Sequence, residues 1–287
     1  MIHGGVHLFH SLLLFLFAAV VIAPLAGQEV HSDITSRSIL FQTGFESFTW
    51  WLDWDVWWAP GNVTGLADDP RRAFEPLEGR ALRVRIRENS HIGTSLFYRL
   101  DRNLGFEPDE LYLNYCLRLA DDWIVRSGGK LPGFSGTYGT AGWGGRPAQG
   151  DDGWSARGYF GSSRDGITPL GFYVYHMDMD GSYGSVWLWD LGGFHGIERN
   201  RWYCIQLYVR LNGPGRSNGI LRAWVDDDLV FEKLDIRFRN TTSLRVEAVW
   251  MDIYHGGSRR AVADSHLYLD NVVVSTPSST LMEDSVQ

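Results

Sequence analysis

Apolar and polar positions alternate with a period of two along most of this chain. The alternation is plain in 81–87 (ALRVRIR), 111–119 (LYLNYCLRL), 171–177 (GFYVYHM) and 185–191 (SVWLWDL). It recurs in 202–211 (WYCIQLYVRL), 220–226 (ILRAWVD), 243–254 (SLRVEAVWMDIY) and 266–274 (HLYLDNVVV). Successive side chains of a strand point to opposite faces, so each segment reads as a strand with one buried face. Turn signals separate them: Asp180-Gly181, Asn212-Gly213-Pro214-Gly215 and Asn218-Gly219. Helical periodicity is nearly absent. Many short strands joined by glycine-rich turns predict an all-β, two-sheet β-sandwich of jelly-roll type. It is expected to occupy 40–276 as one domain, after a polar linker at 28–39 and before a loose polar tail at 277–287.

The N-terminus adds a separate expectation. Residues 8–27 form an apolar run ending in small residues, which reads as a secretory signal over 1–27, cleaved near Ala26 or Gly27. The stretch before it has no Lys or Arg, so an uncleaved anchor is the alternative; no later segment is apolar enough to span a membrane. Aromatic residues make up 14% of the 287, and exposed ones suit flat ligands such as sugar rings. A net charge of −8 argues against a general nucleic-acid binder. Two cysteines, Cys116 and Cys204, lie in strand-like runs. They could pair if those strands are neighbours, or stay as buried thiols; spacing leaves both open. Asn62 and Asn240 head two glycosylation sequons.

Charge chemistry narrows the view. Of 26 basic residues only Lys130 and Lys233 are lysine. Where a bare positive charge would serve, the chain uses Arg, which marks Lys130 as a candidate for work needing a compact, titratable ammonium. Its setting, SGGKLPGFSG (127–136), reads locally as a glycine-rich turn. A phosphate loop is excluded, because Leu131 and Pro132 follow the lysine instead of a hydroxyl residue opening a helix. Asp178, Asp180 and Ser182 resemble a fragment of a calcium loop, better explained as a hairpin turn. Asp53 and Asp55 are the one hint of a hydrolase carboxylate pair. His176, His195, His255 and His266 are scattered and read as structural. The stronger constellation is Tyr173 with Tyr175, and Ser155 with Arg157: each pair is two residues apart on a strand and shares a face.

Taken together, GGKLPG, GWSARGYF and FYVYH resemble the signature of polysaccharide lyase family 14, the alginate- and glucuronan-degrading lyases. LNGPGRSNGILRAWVDDDLVFE (211–232), YHGGS (254–258) and SHLYLDNVVVS (265–275) resemble its C-terminal strands. The resemblance covers roughly 110–275 and implies a concanavalin-like jelly roll. It puts Lys130, Tyr173 and Tyr175 in catalysis and Ser155 and Arg157 in substrate binding. The chain departs from the pattern by a glycine- and aspartate-rich stretch, GTAGWGGRPAQGDDG (139–153), whose Asp151 and Asp152 would repel a polyanion if they faced the cleft.

The implied reaction is β-elimination. A base removes the C5 proton beside the uronate carboxylate, cations stabilise the dianionic intermediate, and an acid protonates the departing oxygen. Nearby cations are expected to lower a tyrosine pKa enough for it to act as base. Neither a cofactor nor a metal is required, and the expected partner is an acidic polysaccharide met by a secreted monomer. The rival readings are a non-catalytic carbohydrate-binding sandwich and a glycoside hydrolase.

Overall fold

The computed structural model describes residues 37–72 and 74–277. The leader expected over 1–27 lies outside them, as does the tail beyond 277. Chain order begins with β1 (Arg37–Thr43), β2 (Val56–Trp58), β3 (Val63–Leu66), β4 (Ala81–Ile86) and β5 (Ile92–Arg99). After a helical turn, α1 (Leu100–Leu104), come β6 (Glu110–Leu119), β7 (Gly129–Gly136), β8 (Trp154–Phe160) and β9 (Ile167–Thr168). Then follow β10 (Leu170–Tyr175), β11 (Ser185–Leu188), β12 (Ile197–Glu198) and β13 (Trp202–Arg210). The last are β14 (Gly219–Val225), β15 (Asp228–Ile236), β16 (Ala248–His255) and β17 (Ser265–Pro277).

These strands build the expected sandwich. One sheet runs β15-β14-β13-β6-β17-β4-β3, with β1 pairing along the second half of β17. The other runs β11-β10-β8-β7-β16-β5-β2. Alternate residues of both sheets meet in one core: Leu113, Tyr115 and Leu117 of β6 and Leu207 of β13 belong to the same cluster as Phe134, Ala156, Phe172 and Met251 of the second sheet. The intervening side chains of the second sheet point away from the core, and the candidate site is built there.

Several local expectations needed tertiary context. β1 begins at Arg37, inside the stretch read as linker. The strand read at 243–254 starts only at Ala248, and that at 185–191 stops at Leu188. In β17, Leu267 and Leu269 face the core before a register break at Asp270, and Val272 and Val274 face it afterwards. The bulge carries Asn271 at φ 48° and shifts the alternation by one residue. Cys116 and Cys204 stand directly opposite on β6 and β13 and form a disulfide, which decides between the two readings.

The largest local surprise is β7. The Gly-Gly-Lys segment is no surface turn but a central strand between β16 and β8. Proline cannot donate to a ladder, and the register on both sides breaks around Pro132. Close packing explains the glycines. A Cβ on Gly129 would lie 2.0 Å from the Phe160 ring and 2.3 Å from the Tyr254 carbonyl oxygen, and one on Gly128 would lie 2.2 Å from the Tyr159 hydroxyl. Among the described residues no helix is long and apolar enough to cross a membrane.

Candidate active site

Cross-strand register brings the two tyrosines to the serine and arginine. On the outer face of β8 and β10, Arg157 pairs with Tyr173 and Ser155 with Tyr175. Lys130, from β7, lies between this group and β16: its Nζ is 4.0 Å from the centre of the Tyr173 ring and 5.5 Å from that of Tyr254. The amine nests over Gly256, where a Cβ would come within 2.8 Å of Nζ. All five residues singled out in the sequence therefore share one face.

Sequence reasoning did not single out the group that holds Arg157. Asp252 of β16 accepts from Arg157 Nη1 at 2.7 Å, and both side chains are buried. The guanidinium lies 4.3 Å from the Trp250 ring and 5.7 Å from the Tyr173 ring. Trp250 stacks on Phe97 and donates through Nε1 to Ser95 Oγ at 2.6 Å; the Ser95 hydroxyl also supports the Asp252 carboxylate. Arg157 is thus a fixed, desolvated cation in the floor. The alternation of 248–255 already put Trp250, Asp252 and Tyr254 on one face. Only the pairing of β16 with β7 shows that this is the face Lys130 shares.

Burial and neighbours reset the proton affinities. Burial and the Arg157 charge hold Lys130 down at about 8, with Asp252 pulling the other way. Burial, reinforced by the shared hydrogen bond with Tyr175, pushes Tyr173 up to about 12 against the opposing field of Arg157. This corrects the expectation that neighbouring cations lower that tyrosine: desolvation of the phenolate outweighs them. Burial also raises the Asp252 carboxyl, opposed by Arg157 and Lys130.

Ser155 and Tyr175 lie deeper than expected, at 0% and 1% exposure. Ser155 Oγ donates to the Gly142 carbonyl at 2.6 Å, and the Gly145 N–H donates to Tyr175 Oη at 3.2 Å. The serine hydroxyl therefore anchors the 139–153 stretch instead of facing open space. At the acidic end of that stretch, Gly150 packs on Met177 and its carbonyl accepts the Asn240 N–H, while Asp152 caps the Gln149 N–H.

Several of the remaining candidates are committed to structure. Asp55 accepts from the Arg99 N–H and Asn103 and pairs with Arg102. Asp178 is gripped by Arg237. His176 lies between Ser185 Oγ and the Asp178 N–H, His255 bonds the Arg259 carbonyl, and His266 pairs with Asp122. His195 is exposed. Among the described residues no cluster of three or more His, Cys, Asp or Glu side chains converges as metal ligands.

Comparison with known proteins places this arrangement. Among curated proteins none matches the sequence significantly. Solved structures do. The marine PL-14 alginate lyase from Aplysia kurodai superposes with a TM-score of 0.62 at 21% identity, over 77% of this chain and 89% of that one. An alginate lyase from Chlorella virus gives 0.61 at 14% identity, over 83% and 100%. An endo-β-1,4-glucuronan lyase from the fungus Trichoderma reesei gives 0.55 at 14%, over 85% and 98%. At these identities the likeness speaks for the fold. Residues 78–271 match the family Polysaccharide lyase 14, more than half of the chain and all of the site; the protein belongs to that family and is a polysaccharide lyase.

Proposed function

We propose that this lyase is exported and cleaves a uronate-containing polysaccharide, of alginate or glucuronan type, by β-elimination at the Lys130–Tyr173 pair. The observation that carries the reading is the contact of the Lys130 amine with the Tyr173 ring at 4.0 Å, above the buried Arg157 cation. The Cys116–Cys204 disulfide supports export, since such bonds persist in oxidising compartments. Trp58, 63% exposed and opposite Ser95 on the same face, offers a surface for sugars farther along the chain.

The proton affinities divide the labour. With a value of about 8, Lys130 is substantially neutral in mildly alkaline solution and is the better base. Its nitrogen takes the C5 proton, leaving that bond's electron pair delocalised into the carboxylate as a dianion; the pair then forms the C4–C5 double bond as the C4–O bond breaks. The ammonium so formed appears beside the dianionic intermediate, where its charge helps most. Tyr173, which keeps its proton up to about 12, gives it to the departing oxygen. The lysine proton then restores the phenol. Tyr175 holds Tyr173 by their hydrogen bond, and Arg157 lends a fixed positive field from below.

The test is the ultraviolet absorbance of the conjugated unsaturated uronate, released from alginate or glucuronan. Lyase action on these polymers generates it; simple binding and hydrolysis do not. Lys130→Ala and Tyr173→Phe should each cut turnover by at least about a hundredfold, the usual loss when one preorganised group is removed, and Tyr175→Phe by less. A folded Lys130→Ala protein that turns over like wild type would remove the lysine from the mechanism.

A further inference from the structure

The stretch 139–153, which departs from the family pattern, contains a miniature hairpin. Trp143 and Arg146 form an antiparallel bridge, with Gly142 N–H bonded to the Arg146 carbonyl at 2.9 Å and Arg146 N–H to the Trp143 carbonyl at 3.0 Å. Between them Gly144 and Gly145 take φ values of 59° and 82°, the left-handed pair that a tight two-residue turn needs. The hairpin is docked on the reactive face from both sides. Gly142 accepts from Ser155, and Gly145 donates to Tyr175. Its two side chains face each other, with the Arg146 guanidinium 4.1 Å over the Trp143 indole. Arg146 is exposed and Trp143 half-buried. Beside the turn stands Tyr183, 69% exposed, with its ring within 3.7 Å of a Cβ built on Gly145.

We propose that Trp143 and Arg146 form a carboxylate-binding subsite for the uronate unit adjoining the cleaved bond, on the Tyr175 side of the site. The proposal rests on the lyase reading above and adds to it a specificity-determining pair. A guanidinium held over an indole loses little freedom on binding, and its exposed N–H groups can grip a carboxylate with two bonds. Arg157 cannot fill this role, because Asp252 already occupies its Nη1 and the residue is buried. Tyr183 supplies an apolar surface for the same sugar ring. Anchored at Ser155 and Tyr175, the hairpin fixes the distance between carboxylate recognition and the Lys130–Tyr173 pair, so binding one uronate aligns its neighbour for elimination.

The test compares Arg146→Ala, Arg146→Lys and Trp143→Ala with wild type in steady-state kinetics on alginate and on glucuronan. Arg146→Ala should raise KM for the preferred polymer about tenfold, with the larger part of its loss in KM, and the difference should shrink at high salt. Arg146→Lys should recover only part of it, since an ammonium lacks the paired N–H edge. Trp143→Ala should show a smaller rise of the same kind. Unchanged KM in Arg146→Ala would overturn the proposal. So would losses confined to kcat together with a lowered melting temperature, which would make the hairpin a mere support for Tyr175. Failure of the lyase reading would look different: wild type would release no unsaturated product. Affinity electrophoresis then tests the subsite alone, comparing gels with and without alginate: greater retardation by alginate of wild type than of Arg146→Ala supports it, and equal retardation refutes it.

Discussion

An amine buried out of water and held beside a guanidinium gives up its proton more readily than one in solution. Lys130 is so placed, and its value of about 8 sets the pH dependence. If its neutral form is the base, kcat/KM should rise as pH passes through about 8 and then hold, because Tyr173 keeps its proton to about 12. A fall in kcat/KM above that pH would mean that the charged ammonium is the active form. Asp252 provides a second handle on the same curve, since its charge favours the protonated lysine. Asp252→Asn keeps an acceptor for Arg157 but removes the charge. The rise should move to the acid side, and turnover should drop roughly tenfold to a hundredfold as a neutral acceptor holds the guanidinium less firmly. A purely structural Asp252 would leave the midpoint where it was.

At the scale of elements, the site depends on how closely β7 lies between its neighbours. Gly256 follows β16, donates its N–H to the Gly128 carbonyl at 2.8 Å, and leaves room for the lysine head. A methyl group at Gly256 would meet Nζ at 2.8 Å, the movable end of a flexible side chain. Gly256→Ala should therefore leave the fold nearly as stable and misplace the amine, lowering turnover by about tenfold or more. Gly129→Ala should behave the opposite way. Its methyl would meet the Phe160 ring at 2.0 Å and a β16 carbonyl at 2.3 Å, both fixed in the sheet. Overpacking of that kind costs about 1–3 kcal/mol and should show as a lower denaturation midpoint. Equal stability of the two variants would refute this account of the Gly-Gly-Lys sequence.

For the whole molecule, the sandwich separates stability from chemistry. The disulfide joins β6 and β13 in the sheet opposite the site and closes a loop across 88 positions of sequence. Reduction should lower the unfolding free energy by about 2–4 kcal/mol, measured by denaturant titration with and without reductant. Turnover of the still-folded reduced protein should match that of the oxidised form, because Lys130, Tyr173 and Arg157 are carried by β7, β10 and β8 of the other sheet. A parallel loss of turnover under fully native conditions would show that the sheets are coupled more tightly than this.

Local pattern was enough for what depends on a strand's own geometry. The alternation of period two made the chain an all-β sandwich, and it put Tyr173 with Tyr175 and Ser155 with Arg157 on common faces, because a strand's side chains alternate wherever it is placed. The scarcity of lysine singled out Lys130 without any structure. What one strand does to another was beyond it. Only the folded molecule shows that the Gly-Gly-Lys segment is a central strand, that Asp252 fixes Arg157, that Cys116 meets Cys204, and that Ser155 is closed over by the 142–146 hairpin. Each is a matter of register between segments far apart in sequence. Register is set by the packing of the whole sandwich and leaves no periodicity in any one segment.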